Sequence, residues 1–305
     1  MITKYDILLL TGGPRAYAPL RIAEEAKKLG ISYKIMHIRE LNFSFDINKL
    51  NILFEGDSIP DAKGVFLRGL GEDAVYNPLK IIAVKRYIEK GAKVINSQSF
   101  LAWPTLDKTM QYALMSEANI PIVESFVFGD KETALLEAKK LGFPLIIKEN
   151  TGSCGLQVYK IDNEIELVEK LAVGYGLRTI KSHIFQRYLT GGQDLRVIVL
   201  EGKVLGAMKR IAKKGSYLTN FSQGGFVESY DVSKDKTACD IAIAVAKLFE
   251  LDYCGVDLMK DKDGNWIVLE VNRACQFQGF EKATGINVAG KIIEFLLNQG
   301  GGLTK

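Results

Sequence analysis

From Gly255 to Asn272 the chain reads GVDLMKDKDGNWIVLEVN. Two apolar runs flank Asp263-Gly264, a dipeptide that strongly marks a tight β-hairpin. Fixing the turn sets the pairing unless a bulge shifts it, and a one-residue slip would send every side chain to the opposite face. With Asp263 and Gly264 as the central residues, Lys262 faces Asn265. Counting outward, Asp257 faces Glu270 and Gly255 faces Asn272. Paired Cβ atoms on one face lie about 4.5–5.5 Å apart, where like charges repel. Asn272, two residues beyond Glu270, projects from that same face, over a glycine with no side chain to block it. Two carboxylates and an amide oxygen with room above them suit a hard cation. Mg2+ commonly takes one or two carboxylates plus phosphate oxygens. An edge hairpin with one acid facing solvent or paired to a lysine would explain a single acid. It does not explain three oxygen ligands on one face of otherwise apolar strands.

A metal of that kind calls for a phosphate binder elsewhere. The best candidate is LIIKENTGSCGLQVY, where Lys148 ends an apolar strand and Gly152 and Gly155 lie in the following loop. Small residues let backbone N–H groups approach phosphate oxygens. The loop is not a Walker loop, since no Lys-Ser/Thr follows and it leads to a strand. Taken alone, such a segment is more often a plain hairpin, and Lys148 a lysine emerging at a strand end. Gly12-Gly13, after the first strand, matches neither nucleotide fingerprint and carries little weight.

The first hundred residues alternate strand and helix: YDILLL, PLRIAEEAKKLG, ISYKIMHI, GVFLRGL, NPLKIIAVKRYIEKG and AKVINS. That order implies a parallel sheet with right-handed crossovers. Trp103-Pro104 interrupts it. TLDKTMQYALMSEA then reads as a helix, IVESFVF after Pro121 as a strand, and KETALLEAKKLG as a helix. FPLIIKE and LQVYKI are strands around the glycine loop. From Ser182 long strands follow one another, HIFQRYL, DLRVIVL and KVLGAMKRI, with Glu201-Gly202 as a hairpin turn. SKDKTACDIAIAVAKLFE is a helix, the opening hairpin comes next, and Val288–Asn298 is a closing amphipathic helix. At 305 residues the chain suits two or three units. The divisions fall at 1–103 (parallel α/β), 104–186 (α+β with the glycine loop) and 187–305 (α+β with the metal site), an α/β protein as a whole.

Several classes are set aside. Apolar residues are 47%, charged residues 25% and the net charge is +4, with no dense basic stripe for nucleic acid. The cluster Lys209, Arg210, Lys213, Lys214 reads as a solvated hairpin. Four cysteines form no C-x-x-C pair, and two histidines make a zinc site a poor reading. No run approaches the ~18–20 apolar residues that span a bilayer. MITKYDILLLTGG reads as a buried strand and not a signal peptide, so a cytoplasmic protein with reduced thiols is expected.

The order of parts carries more information than any one of them. Asp107-Lys108 heads a helix. The Lys148 strand, the glycine loop, FQRYL, DLRVIVLEGKVLGAMKR, Asn220 with Gly224-Gly225, GVDLM, LEVN and EKATGINVAGKII follow in turn. This series resembles the ATP-grasp superfamily of carboxylate–amine ligases over about residues 100–296. Within it, the chain is most similar to the branch of the ribosomal-protein glutamate ligase. The resemblance implies that Lys108 and Lys148 contact ATP phosphates while Gly152, Ser153 and Gly155 close over them. Gln186, Arg187, Tyr188 and Leu189 would be the hinge that holds adenine. Asp194 would lie near the ribose, and Asn220 near the phosphates or a second metal. Asp257, Glu270 and Asn272 would bind two Mg2+ ions, with Mn2+ as a substitute. Arg210 and Arg196 would stabilise an acyl phosphate or bind a substrate carboxylate.

The implied chemistry is activation of a carboxylate as an acyl phosphate and attack by an amino-acid amine, glutamate favoured, with release of ADP and phosphate. The acid would be a peptide, a carrier protein or a small molecule, with no nucleic acid or membrane as partner and a homo-oligomer left open. Positioning and charge neutralisation suffice for such phosphoryl transfer, which agrees with a chain that offers no Ser-His or Cys-His pair. Cys154 reads as a small loop residue. A phosphotransferase or ATPase of the same fold, or a non-catalytic nucleotide-binding regulator, would share much of the pattern. The intact metal trio and both lysines weigh against the regulator. Two departures stand out. RACQFQ follows Asn272 where the branch has a Ser-Pro-Gly-rich loop, a change similar to the carrier-protein ligases of lysine and arginine biosynthesis. Arg187 occupies a hinge position where an acid is common.

Overall fold

The computed structural model describes residues 4–47, 49–69, 76–150, 157–174, 180, 182–213 and 225–298. The apolar run that opens the chain forms β1 (Lys4–Thr11), whose last five residues are all buried. Such a strand needs cover on both faces, as in parallel sheets. After α1 (Tyr17–Lys28) comes β2 (Tyr33–His37). Three strands the sequence reading passes over follow: β3 (Leu41–Asp46), β4 (Lys49–Phe54) and β5 (Asp57–Ser58), a small antiparallel sheet of their own. Next are β6 (Asp61–Arg68), α2 (Asn77–Glu89), β7 (Lys93–Val94) and α3 (Ser97–Ala102). The first sheet has the order β2-β1-β6-β7, all parallel. AKVINS yields only a two-residue strand, because Asn96 adopts a left-handed conformation, φ 55°, and leads into α3.

The middle of the chain gives α4 (Lys108–Glu117), β8 (Ser125–Phe126), α5 (Lys131–Leu141), β9 (Leu145–Glu149), β10 (Val158–Ile161), α6 (Glu164–Gly174) and β11 (His183–Arg187). Their strands form an antiparallel sheet, β10-β9-β11-β8. Asp107 caps α4 by accepting from the Met110 N–H at 2.9 Å, as a short acid before a helix should. Little of IVESFVF is strand beyond β8. Ile122 instead bridges to Val268.

The third sheet, β14-β13-β12-β15-β16, is antiparallel throughout. It contains β12 (Gln193–Leu200), β13 (Lys203–Ile211), β14 (Phe226–Tyr230), β15 (Tyr253–Lys260) and β16 (Trp266–Asn272). Helix α7 (Lys236–Leu248) lies on one face, burying Ala238, Ala242, Val245 and Ala246 at helical spacing. The other face carries the polar residues described below. Helices α8 (Gln278–Thr284) and α9 (Val288–Leu297) end the described chain. Helix α9 leaves the third sheet and packs with β1, β6 and α1, so Ile292, Ile293 and Leu296 share a core with Leu8 and Phe66.

Candidate active site

The hairpin that brackets Asp263-Gly264 has the expected pairing at its far end, reached by two offsets. Near the turn, Lys260 pairs with Trp266, and the Asp261 N–H bonds the Asn265 carbonyl. The loop is therefore three residues, 262–264, with Gly264 at φ 84°, the left-handed position such loops give to glycine. A bulge at Leu269 then adds one residue to β16, and Asp257 meets Glu270, Val256 meets Val271 and Gly255 meets Asn272. The extra turn residue and the bulge compensate each other.

Asp257 also pairs with Arg196 on its other side, and Asp194 with Arg210 on the next strand. A polar row thus crosses one face of the sheet. Arg196 forks onto Asp257, Nε to Oδ1 at 2.7 Å and Nη2 to Oδ2 at 2.6 Å. Arg210 forks onto Asp194 at 2.6 and 2.8 Å, and its Nη2 also lies 2.8 Å from Asp257 Oδ2. Asn272 Nδ2 donates to Glu270 Oε1 at 3.0 Å and approaches Asp257 Oδ2 at 3.4 Å. Burial raises the Asp257 carboxyl, but Arg196 and Arg210 outweigh it and hold the acid below its ordinary range. The repulsion between Asp257 and Glu270 is therefore met in part by two guanidiniums. Gly255 is needed beneath this row for a second reason: an added Cβ would lie 2.9 Å from Cys275 Cβ and 3.0 Å from its Sγ.

The two lysines arrive from the other side. Lys108 opens α4, and its Nζ is 3.9 Å from Glu270 Oε2 and 3.4 Å from the Asn150 carbonyl. Lys148 on β9 is buried and donates to the Tyr112 hydroxyl at 3.0 Å. Burial pushes it down to about 8, although Glu270 and Asp257 pull the other way. Ile184 and Gln186 of β11 pair with Lys148 and Ile146 of β9, so Lys148 and Gln186 project from one face. Gln186 donates to Ser125 Oγ at 2.6 Å. Arg187 pairs with Glu124, Nε to Oε2 at 2.9 Å, so the unusual hinge cation has its own local acid. Tyr188 stacks under the Lys160 ammonium, and Leu189 packs against the core of the third sheet.

Eight of the sequence-derived residues thus converge: Lys108, Lys148, Asp194, Arg196, Arg210, Asp257, Glu270 and Asn272. Asp194, expected at a ribose, has both oxygens on Arg210. Arg210, expected with Lys209 and Lys213 on a solvated hairpin, is 3% exposed. Gly152, Ser153, Gly155, Asn220 and Cys154 lie outside the described residues. The RACQFQ departure turns Arg273, Cys275 and Phe277 inward and leaves Gln276 and Gln278 exposed. Arg273 donates to the carbonyls of Ser99, Trp103 and Pro104 at 2.7–3.1 Å and stacks on Phe100. Cys275 and Phe277 are buried, Phe277 edge-on to Tyr17. Sequence reasoning missed Gln111 and Tyr112, whose signal was present: Lys108, Gln111, Tyr112 and Met115 form the buried stripe of α4 at i, i+3, i+4 and i+7.

Four cationic and three anionic side chains on facing elements suit a polyphosphate better than a neutral ligand. Two antiparallel sheets are joined by α4, and Lys108 and Lys148 are both brought toward the carboxylate pair. The ATP-grasp ligase PsnB, complexed with a phosphomimetic variant of minimal precursor, Mg and ADP, shares the fold with a TM-score of 0.72. The two are 24% identical, over 97% of this chain and 98% of that one. The macrocyclase MdnC of Microcystis aeruginosa MRC, bound with precursor peptide MdnA, shares it with a TM-score of 0.69 at 14% identity, over 96% and 99%. The RimK-like ATP-grasp domain family matches residues 105–296, and the chain belongs to that family. A protein of Aeromonas salmonicida (strain A449) named "probable alpha-L-glutamate ligase" is 28% identical over 95% of each chain. Human N-acetylaspartylglutamate synthase A is 28% identical over 71% of this chain and 56% of its own. The protein is an ATP-dependent carboxylate–amine ligase, and ATP-grasp ligases use ATP with Mg2+.

The donor set fits that ion. Among the described residues no three His, Cys, Asp or Glu side chains form a metal centre. The ligands would be two acids and an amide, with phosphate oxygens completing the shell, which is the usual pattern for Mg2+. Asn272 turns its Nδ2 toward both carboxylates, so its Oδ1 would serve a cation after rotation of the amide. No helix among the described residues is long and apolar enough to cross a membrane.

Proposed function

We propose that this protein activates the carboxylate of a peptide or small acid as an acyl phosphate and joins it to the amine of glutamate, releasing ADP and phosphate. One observation carries the reading: the row Asp194–Arg210–Asp257–Arg196 runs into Glu270 and Asn272, with Lys108 and Lys148 facing it. The glutamate preference is supported by the names of two relatives, an alpha-L-glutamate ligase and N-acetylaspartylglutamate synthase A. Residues 1–103, 104–186 and 187–305 are taken as its three units.

A carboxylate resists amines because its leaving group is poor, and phosphorylation supplies a good one. In this reading Lys148 and Lys108 hold phosphate oxygens, fixing the transferred group in line with the acid. Gln186 to Leu189 hold the base, and residues 150–155 keep water from the acyl phosphate. Arg196 and Arg210 face the developing negative charge with guanidiniums already oriented by Asp257 and Asp194, so little reorganisation is needed. Mg2+, two ions in our reading, would be held by Asp257, Glu270 and Asn272 and would neutralise charge on the phosphates. The test is a matrix of acids against amino acids, read as ADP release and product mass. ADP formed equally well without any amine would favour a phosphotransferase or ATPase instead.

A further inference from the structure

Glu270 lies beside a break in the sheet. Asp257 pairs with Glu270 but Leu258 pairs with Val268, which leaves Leu269 one residue more than β15 can match. A bulge disrupts the local ladder, and buried peptide groups need partners from somewhere. Both peptide groups that flank Glu270 find them on α4. Gln111 Oε1 accepts from the Val271 N–H at 2.9 Å, and the Tyr112 hydroxyl donates to the Leu269 carbonyl. Gln111 is itself fixed, since its Nε2 donates to the Leu106 carbonyl at 3.1 Å. The Tyr112 hydroxyl also accepts from Lys148 Nζ at 3.0 Å. These side chains sit on the buried stripe of α4 that begins with Lys108.

We propose that Gln111 and Tyr112 are positioning residues that aim the Glu270 carboxylate at the divalent cation, and that Tyr112 also couples this setting to Lys148. The inference rests on the reading of Glu270 as a metal ligand. Each residue acts through the backbone on one side of Glu270, so the carboxylate is held from both sides without being touched. Helix α4 then carries one phosphate lysine, steadies the other and sets the metal acid, which makes it the common frame of the site.

The test uses the full chain and ADP as the probe, with binding measured by calorimetry in EDTA and in Mg2+. The ratio of the two affinities is the gain due to the metal. In Gln111→Met that gain should fall about tenfold or more, as is usual for partners that orient a ligand, while metal-free affinity stays within about twofold. Tyr112→Phe should reduce the gain and weaken metal-free binding as well, because Lys148 loses its acceptor. If both variants keep the parent's gain while Glu270→Gln loses it, the positioning role is overturned and the metal ligand stands. A fall of both affinities in proportion in Gln111→Met overturns it too, as the mark of general damage. If Glu270→Gln keeps the gain, the ligand assignment fails and the inference with it. Should Gln111→Met not fold, Tyr112→Phe against Glu270→Gln decides alone.

Discussion

Lys148 shows what the site costs the fold at the scale of one residue. Burial lowers it from 10.5 to about 8, which corresponds to roughly 3 kcal/mol between its two protonation states. Between about pH 8 and 10.5 the unfolded chain therefore binds more protons at this position than the folded one, and stability rises with pH across that window. Lys148→Met removes the charge that must be buried. The metal-free variant should be the more stable protein at pH 7, lack that rise, and have lost ATP turnover. Denaturant midpoints at pH 7 and 10 check this, and identical pH dependence in both proteins would contradict it. Gly255 makes a second point. Its missing Cβ leaves room for Cys275, so Gly255→Ala should destabilise by about 1–3 kcal/mol through overpacking, read from the same midpoints.

At the scale of elements, the sequence made the strand order and the acid pair of the opening hairpin legible, but not how they are reached. A two-residue turn gives Asp257 opposite Glu270, and so does a three-residue turn followed by a bulge. Alternation of apolar residues cannot separate the two, because the offsets cancel before the acids are reached. The bulge partners Gln111 and Tyr112 stayed hidden for a related reason: a polar residue on a helix's buried stripe declares burial, not its partner. The β3–β4 hairpin did carry a signal, the alternation of Leu41, Phe43 and Phe45 and of Leu50, Ile52 and Phe54, which the sequence reading passed over, whereas the two-residue β5 and an α3 entered through a left-handed Asn96 leave little. Arg273, the first residue of the departure after Asn272, is an anchor for the α3–α4 connection. Removing it takes the Arg273 donor from the Trp103 and Pro104 carbonyls, while that of Ser99 keeps the Trp103 N–H, so Arg273→Met should cost about 2 kcal/mol or more of stability while leaving KM for ATP unchanged in the folded fraction. A denaturation curve with initial rates on the same preparation tests it.

Among the described residues, three hydrophobic cores underlie the larger sheets, and the candidate site lies where the second and third sheets are joined by α4. The first core reaches into the third sheet through Phe277, Phe280 and α9, and Asn96 adds polar links, donating to the carbonyls of Tyr253 and Arg273. Strand β15 and the residues after β16 are thereby held by the first sheet and Asn96, which gives that part of the chain a share in shaping the site although it supplies none of the eight converging residues. The ligase was legible through the order of its motifs, which resembles a known family, while strand register supplied only the acid pair. The acid substrate was not legible, because RACQFQ after Asn272 departs from the branch the chain resembles. The most direct measurement is ADP release by the full chain with Mg-ATP, an acid and glutamate. ADP and a product heavier than the acid by one or more glutamyl residues are expected, with both lost when either the acid or glutamate is left out. ADP release at an undiminished rate without glutamate or any other amine, with no coupled product, would contradict it.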